Sequence, residues 1–427
     1  MAVIHWSGAI LGLAIAILLI FRKVNPVYAL FGGAIIGGVV GGASLAQTTQ
    51  IVIDGTNSVM GAVVRVLAAG ILAGILIESG AAEKIAETIV EKLGEQKALL
   101  AIALATMVIT AVGVFIAVSV IIVAPIALSV ARRVGLTKSS ILLAMIGGGK
   151  AGNIISPNPN TIAVAKGFDL DLAQVMINGF LPAIVGLIVT YFVATLISKK
   201  GELIKESEVA VTTTKIKPSF ARAMVAPIVA IILLSLNPIG SILHIKFLAS
   251  IKIDSMIILP VAGLIGLLAM GQFNKVIDYT TSGLNKMTGT AIILIGAGAI
   301  AGIISKSNLS QVVVQCIQAA GISGVFLAPI SGILMAGATA STSTGSIVAA
   351  GTFGKAILSM GVAPLSAAIM VHTGATVIDH LPHGNFFHAT ADSVKMNINE
   401  RMKLIPYESI VGGSMAIVAT IIYGFLR

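Results

Sequence analysis

Charge and cysteine are both scarce in this chain of 427 residues. Only 10% of the residues are charged, against about 25% in an average soluble protein. So few charges cannot cover a water-exposed surface, and most of the exterior must therefore face lipid. Cys316 is the single cysteine, which excludes an internal disulfide framework.

Apolar residues and glycine are abundant instead. The chain is 57% hydrophobic and has 46 glycines, a composition typical of helices that pack closely inside a membrane. Its 27 Lys and Arg exceed its 17 Asp and Glu. These basic residues lie in short connections between apolar runs, so they indicate membrane orientation rather than a nucleic-acid partner. The sequence therefore predicts an all-α polytopic protein of the cell (inner) membrane, surrounded by the lipid bilayer.

A series of apolar runs is long enough to cross the ~30 Å hydrocarbon core, which takes ~20 helical residues. No basic residue precedes the first run, which favours a retained span over a cleaved signal peptide. The predicted spans lie near 3–21, 27–45, 58–77, 139–165, 172–198, 222–238, 254–271, 287–305, 362–386 and 404–425.

Two further apolar runs do not fit single spans. Residues 98–131 carry no charge and would form a helix of ~51 Å, too long for one untilted crossing. We predict a re-entrant helical hairpin there. This hairpin keeps Arg132 on the same side as Arg22 and leaves the central loop 199–222 in the cytoplasm. A second hairpin is predicted over 321–358, where a run of hydroxyl residues interrupts the apolar sequence.

The sequence also repeats itself. Residues 69–75 are echoed by 297–303, and a predicted hairpin follows in both halves. Each half has an odd number of spans besides its hairpin, so the two copies must cross the membrane in opposite directions. Inverted repeats with broken helices at the centre are the architecture of secondary transporters. We therefore predict two inverted repeats, each of five spans and one hairpin, over 1–200 and 222–427, a cytoplasmic linker at 201–221, and broken spans over 139–165 and 362–386.

The first broken span contains candidate substrate ligands. Residues 147–161 combine four early glycines with two prolines, which disfavours a continuous helix. Irregular backbone in a bilayer is tolerated where it lines a cavity or a site. Lys150 lies ~18 Å along a helix from Lys138, near mid-membrane. It either balances a bound anion, or it snorkels or pairs with a carboxylate. The polar residues expected beside it are Asn153, Ser156, Asn158, Asn160 and Thr161.

The second broken span gathers Asp379, His380 and His383. An Asp–His pair can carry a proton through a transport cycle, so these residues are assigned to proton coupling, and Asn385 to the substrate. The two histidines have a metal-ligand spacing, but no second acidic or cysteine ligand lies nearby, and we expect no metal. No paired nucleophile and base is present, so neither an enzyme nor a cofactor is predicted.

Four hydroxyl residues form the predicted tip of the second hairpin. Hydroxyls and free backbone N–H groups at a helix start can bind a carboxylate without fixed charge. The alternative is a polar turn whose hydroxyls bond to their own helix. The residues in question are Ser341, Thr342, Ser343 and Thr344.

The segment Leu76–Ala86, with the sequence LIESGAAEKIA, resembles the signature after the third span of the gluconate permease family within the ion transporter superfamily. The same order of hairpin and proline-broken span covers nearly the whole chain. The resemblance implies proton-coupled uptake of small sugar acids or hydroxy acids, and the superfamily implies a homodimer. The family's His- and Pro-rich turn is replaced here by residues 156–160, and its asparagine-aspartate feature by 379–383. The resemblance therefore implies the architecture rather than gluconate itself.

The predicted function is cation-coupled symport of a small organic anion, with H+ as the coupling ion. Na+ is the alternative ion, because the Asn-, Ser- and Thr-rich turn at 156–161 resembles sodium-site chemistry. The alternative function is a cation/proton antiporter, in which Asp379 is the exchanged site and Lys150 its counter-charge.

Overall fold

The computed structural model describes residues 4–22, 24–208, 217–242, 245–251, 253–319 and 323–426. Helices dominate these ranges, and pairing of extended backbone is limited to isolated bridges. The α-helices are α1 (Trp6–Phe21), α2 (Pro26–Val40), α3 (Leu45–Glu78), α4 (Ala81–Leu93), α5 (Ala98–Ala111), α6 (Ile116–Val134), α7 (Lys138–Ile154), α8 (Pro159–Gly167), α9 (Leu172–Asn178), α10 (Phe180–Leu196), α11 (Phe220–Ala223), α12 (Val225–Ile242), α13 (Lys246–Ser250), α14 (Ser255–Ala269), α15 (Val276–Ser305), α16 (Leu309–Ala319), α17 (Leu327–Thr339), α18 (Thr342–Ser359), α19 (Pro364–Gly374), α20 (Asn385–Ser393) and α21 (Ile398–Thr420).

Several helices are suited to a bilayer. Within the described ranges, five helical stretches are long and apolar enough to cross a membrane singly, and up to seven are if each bent helix pair counts as one span. Other predicted spans are shorter apolar helices, such as α1 with 16 residues and α2 with 15. The architecture is therefore that of an all-helical, multi-pass membrane protein.

The predicted broken spans each comprise two helices. Residues 139–165 form α7 and α8. Pro159 stands at the start of α8, where its missing N–H costs nothing, and the Asn158 side chain caps that helix. Residues 362–386 form α19 and the beginning of α20, with an irregular stretch over 375–384. Both breaks leave backbone groups available for other partners.

The two predicted hairpins are pairs of contacting helices. Residues 98–131 form α5 and α6, and Gly113 in their turn has a φ of 110°, which a residue without Cβ adopts freely. The second hairpin comprises α17 and α18, while residues 321 and 322 of its predicted range lie outside the described part. Its turn contains Ala340 with a φ of 45°, a left-handed conformation that is strained for alanine. The tip of this hairpin is thus held in place by its surroundings.

The long helices α3 and α15 pack on each other through glycines. The backbone of Gly55 meets Gly298 and Gly302, whereas that of Gly74 meets Gly283. The contact positions descend along α15 as they ascend along α3, so the two helices are antiparallel. Missing side chains let the two backbones approach closely, which is how membrane helices gain packing energy.

The start of the central loop is anchored to the start of α7. Lys138 is 1% exposed, and its Nζ donates to Glu208 Oε1 at 2.7 Å and to Glu202 Oε2 at 3.3 Å. Burial by itself raises the pKa of the Glu208 carboxyl, but the hydrogen bond from Lys138 contributes to a net lowering of this pKa below its ordinary value. Residues 209–216 of the predicted 201–221 linker lie outside the described part of the chain.

A matched pair of substitutions on α15 tests the glycine contact. A Cβ at Gly283 would overlap the carbonyl oxygen of Gly70 and lie 3.0 Å from the Cα of Gly74, whereas a Cβ at Gly289 meets nothing within 4 Å. Gly283→Ala should therefore reduce the free energy of unfolding by the ~1–3 kcal/mol typical of overpacking. The detergent-purified variant should accordingly melt at a lower temperature. Gly289→Ala is the control and should leave it unchanged or raise it slightly. Equal melting temperatures for the two variants would contradict the close contact.

Candidate functional site

The two broken spans meet at a buried ion pair. Lys150 on α7 is fully buried, and its Nζ donates to Asp379 Oδ1 at 2.7 Å. The same nitrogen donates to the carbonyl oxygen of Thr376 at 2.5 Å and lies 2.9 Å from His380 Nδ1. An ammonium has three N–H donors, and all three have a partner here. Residues from the two predicted repeats thus form one site.

The glycine run before Lys150 departs from the sequence prediction. Residues 147–152 remain helical within α7, and the break begins only after Ile154. The backbone of Gly147 packs on Thr190, that of Gly148 on Ala103, and that of Gly149 on Ile116. Tertiary packing therefore overrides the weak helical preference of glycine. The helix carries Lys150 to the break in the opposite span, where the Thr376 carbonyl is exposed to it.

The second hairpin contributes a hydroxyl to the same carboxylate. Thr342, the first residue of α18, donates from Oγ1 to Asp379 Oδ2 at 2.5 Å. Ser341 instead accepts a hydrogen bond from the backbone N–H of Thr344 at 3.2 Å and so caps its own helix. Ser343 is half-buried at the same tip. The hairpin tip therefore touches the ion pair through one of its four predicted residues.

His380 extends the charged site toward α21. Its Nε2 lies 3.1 Å from the carbonyl oxygen of Ile405, and its Nδ1 lies 3.8 Å from Glu408 Oε2. Glu408 forms a salt bridge with Arg401, and both side chains are fully buried. The Arg401 guanidinium also stacks over the Phe387 ring, 4.7 Å from its centroid.

Five ionisable side chains therefore form one continuous buried charged row, in the order Lys150, Asp379, His380, Glu408 and Arg401. Sequence reasoning missed the last two residues. A signal for them exists, because they stand seven residues apart on one helix, which is two turns and the same face. Glu408 also lies inside the predicted span 404–425, and an acid within a span is a candidate for function.

An amide cluster occupies the break between α7 and α8. The Asn158 Nδ2 donates to Asn153 Oδ1 at 2.5 Å, and the Asn160 Nδ2 donates to the same oxygen at 2.9 Å. Thr161 Oγ1 donates to Asn158 Oδ1 at 3.3 Å. All four residues are buried. The structure thus brings together four of the predicted substrate ligands of this span.

Some buried polar atoms near this cluster lack a hydrogen-bond partner among the described residues. They include Asn153 Nδ2, Ser156 Oγ and Asn160 Oδ1 around the break, and Ser346 Oγ on the neighbouring helix α18. Leaving a buried donor or acceptor unsatisfied costs ~1–3 kcal/mol. Such groups are rare in proteins, and those at this break have hydrogen-bonding capacity that a ligand, an ion or a water can use.

Three polar residues of the second broken span, described next, are not among the hydrogen-bond partners of Lys150 and Asp379. His383 hydrogen-bonds to the backbone of Gly337 and Ala338 in the hairpin. Asn385 begins α20 and is exposed. His372, which the sequence analysis did not select, is fully buried on α19, and its ring nitrogens have no partner within the described ranges. No group of three or more His, Cys, Asp or Glu among the described residues could hold a metal ion.

A cavity of about 380 Å³ opens between α3, α8, α15 and α18. Its lining includes three lysines from different elements, Lys166, Lys306 and Lys355, and a single carboxylate, Asp54. Ala163 and Ile347 also line it, each within about one helical turn of a residue with an unpartnered polar atom, Asn160 and Ser346. The cavity therefore has a cationic mouth and approaches the amide cluster.

The chain matches the family model described as GntP family permease over residues 4–426. It is 53% identical over 427 residues to an uncharacterized transporter of Haemophilus influenzae, and the match covers 100% of both chains. It is 23% identical over 407 residues to a high-affinity gluconate transporter of Escherichia coli, with 90% of each chain covered. By fold it is similar to the crystal structure of the Alcanivorax borkumensis YdaH transporter, with a TM-score of 0.67 at 15% identity over 98% of each chain.

These findings confirm the resemblance carried by residues 76–86. They give no support to the cation/proton antiporter considered from the sequence. The protein is a membrane transporter and not an enzyme, and the chain belongs to the GntP family of permeases.

Proposed function

We propose that the protein is a secondary active transporter in which H+ drives the symport of a small organic anion of the sugar-acid or hydroxy-acid class. One observation carries the proposal: a fully buried lysine stands beside unpartnered amide and hydroxyl groups where two helices break. Gluconate transport by relatives such as that of Escherichia coli supports the substrate class. A sugar acid has one carboxylate and several hydroxyls, which matches one cation surrounded by neutral polar groups.

The carboxylate binds Lys150 near the helix starts of α8 and α18. Helix N-termini carry a partial positive charge, which favours anions. At the start of α8 the N–H groups of Asn160 and Thr161 already donate to Asn158 Oδ1, so that helix acts on the anion through its dipole. The unpartnered atoms of Asn153, Ser156 and Asn160 then bond the hydroxyls. Asn158 and Thr161 hold this amide cluster in shape, Thr342 positions Asp379, and Ser341, Ser343, Thr344 and Asn385 complete the proposed set on the second half.

The two halves are proposed to be inverted repeats, over 1–200 and 222–427. The register that matches residues 69–75 with 297–303 also matches Gly55 with Gly283. Gly55 contacts Gly298 and Gly302, and their counterparts Gly70 and Gly74 both contact Gly283, so the contacts are reciprocal. Reciprocal contacts are the signature of a two-fold axis. The antiparallel crossing of α3 and α15 supports an axis in the membrane plane, as in transporters with inverted repeats.

The cavity lined by Lys166, Lys306 and Lys355 is the proposed entrance on the non-cytoplasmic side. Its cationic mouth raises the local concentration of anions. Alternating access follows when one structural unit moves against the other around the fixed site. The location in the inner membrane, the cytoplasmic placement of the 199–222 loop and the homodimer implied by the superfamily belong to the same proposal.

Replacing Lys150 tests the anion site. Lys150→Met alone leaves the Asp379 carboxylate buried without its main partner, so the informative variant is the double substitution Lys150→Met/Asp379→Asn. Gluconate affinity should fall at least ~10-fold, because a hydrogen bond to a charged group contributes ~1.5–3 kcal/mol. The measurement is the shift in melting temperature with added gluconate and with other sugar acids.

The control for this test is Lys275→Met, which removes a lysine whose side chain is 53% exposed. It should bind gluconate as the unmodified protein does. A folded double variant that keeps the original affinity would remove Lys150 from the substrate site.

Cysteine accessibility tests the inverted topology. The exposed Cys316 is first replaced by serine. Single cysteines at Arg132 and Lys355, which end the two hairpins, should then react with an impermeant maleimide from opposite sides of the membrane. Cysteines at Lys97 and Lys166 are the controls. The first should react from the same side of the membrane as the cysteine at Arg132, and the second from the same side as the cysteine at Lys355. Labelling of the Arg132 and Lys355 positions from one side would contradict the inverted arrangement.

A further inference from the structure

We propose that Nδ1 of His380 is the atom that binds the coupling proton, and that its protonation releases Lys150 from Asp379 to bind the substrate carboxylate. Transport of one monoanion with one proton is then electroneutral. This inference rests on the proposed symport and adds the proton's position, its effect on Lys150 and the stoichiometry.

Three atoms of the buried charged row lie within hydrogen-bond distance of one another. Lys150 Nζ is 2.7 Å from Asp379 Oδ1 and 2.9 Å from His380 Nδ1, and His380 Nδ1 is 3.0 Å from the same Asp379 oxygen. An imidazole nitrogen has either a lone pair or a proton in the ring plane. His380 Nδ1 can therefore accept from Lys150 or donate to Asp379, but it cannot do both.

The other ring nitrogen fixes the tautomer of the neutral histidine. His380 Nε2 lies 3.1 Å from the carbonyl oxygen of Ile405, which can only accept, and 3.4 Å from Ser409 Oγ, which can donate or accept. The nearer carbonyl therefore places the hydrogen on Nε2. Nδ1 then has the lone pair, and the ammonium of Lys150 donates to it. In this state Nδ1 and the Asp379 carboxylate are two acceptors 3.0 Å apart. Lys150 holds them together by donating to both.

A proton on Nδ1 reverses these relations. One N–H bond forms with a proton from the aqueous side, and the new donor bonds to Asp379 Oδ1. The same N–H now faces the Lys150 ammonium, so two donors with positive charge oppose each other at the 2.9 Å separation. Lys150 must therefore withdraw. The ammonium then needs another anion, and the substrate carboxylate provides it.

The charge of the row gives the stoichiometry. The charged groups that face His380 are Lys150 from α7, Asp379 from its own segment, and Glu408 from α21, which is paired with Arg401. In their ordinary states these two cations and two anions cancel when His380 is neutral. A bound monoanion adds one uncompensated negative charge, which a low-dielectric interior strongly disfavours. One proton on His380 restores neutrality.

Proteoliposomes separate this inference from the proposed function. Counterflow of labelled gluconate, without any ion gradient, measures translocation alone. A pH gradient, acidic outside, should then drive accumulation, whereas a potassium diffusion potential, negative inside, should leave uptake within twofold of the gradient-free rate. Uptake driven by the potential alone would overturn electroneutral coupling, while counterflow would still show that the protein transports the anion. Absence of counterflow with every sugar acid tested would overturn the proposed function itself, and the proton site with it.

His380→Asn tests the atom, because an asparagine side chain can occupy the Nδ1 position without titrating. Because no proton then releases Lys150 from Asp379, counterflow and accumulation driven by the pH gradient should both fall at least tenfold. His388→Asn, at an exposed histidine, is the control and should accumulate normally. Accumulation by His380→Asn at the unmodified level would overturn the assignment.

A measurement on the unmodified protein keeps the test independent of folding in the variant. The purified protein is placed in a weakly buffered solution near pH 7.5 that contains a pH-indicator dye. When gluconate is added, the protein should take up as much as one proton per bound anion. Binding without proton uptake would overturn the proposal.

Discussion

An ammonium ion in a low-dielectric interior must have partners, and the site depends on this constraint. The Lys150 side chain is fully buried, so it cannot extend to the membrane surface and needs partners inside the protein. It obtains its partners from the opposite half of the chain: the Asp379 carboxylate, the Thr376 carbonyl and His380. The second broken span supplies the carbonyl because its helix ends at Gly374. The interruption of one span thus accommodates the charge carried by the other.

Stability alone does not account for the buried charged row. Desolvating each ion costs several kcal/mol, and well-packed apolar residues of similar volume often stabilise a protein as well or better. Here five ionisable groups follow one another, with Arg401 and Glu408 at one end and Lys150 at the other. Their contacts include alternatives of nearly equal geometry around His380 Nδ1. A row of this kind is suited to exchanging partners when a proton or an anion arrives.

The packing around the row is correspondingly rigid. Glycines bring α3 close to α15, and bring α7, which carries Lys150, close to α5, so α7 has little freedom to shift separately from α5. The strained backbone of Ala340 lies next to the hairpin residue pair 341–342, which caps α18 and reaches Asp379. Strain of this kind persists where the surrounding structure enforces it. The hairpin tip is therefore a fixed part of the site.

The sequence by itself determined the membrane setting, the all-helical class and the spans that are interrupted. Those properties follow from hydropathy, proline and glycine, which act locally along the chain. It also selected Lys150, Asp379 and the amide cluster, because polar residues inside apolar runs are conspicuous. Only the tertiary structure decided that Lys150 bonds to Asp379 across the two halves, that the glycines before Lys150 stay helical, and that Arg401 and Glu408 complete the row. These features depend on which helices touch. The seven-residue spacing of Arg401 and Glu408 places them on one face of a helix, but no spacing in the sequence shows that this face meets His380.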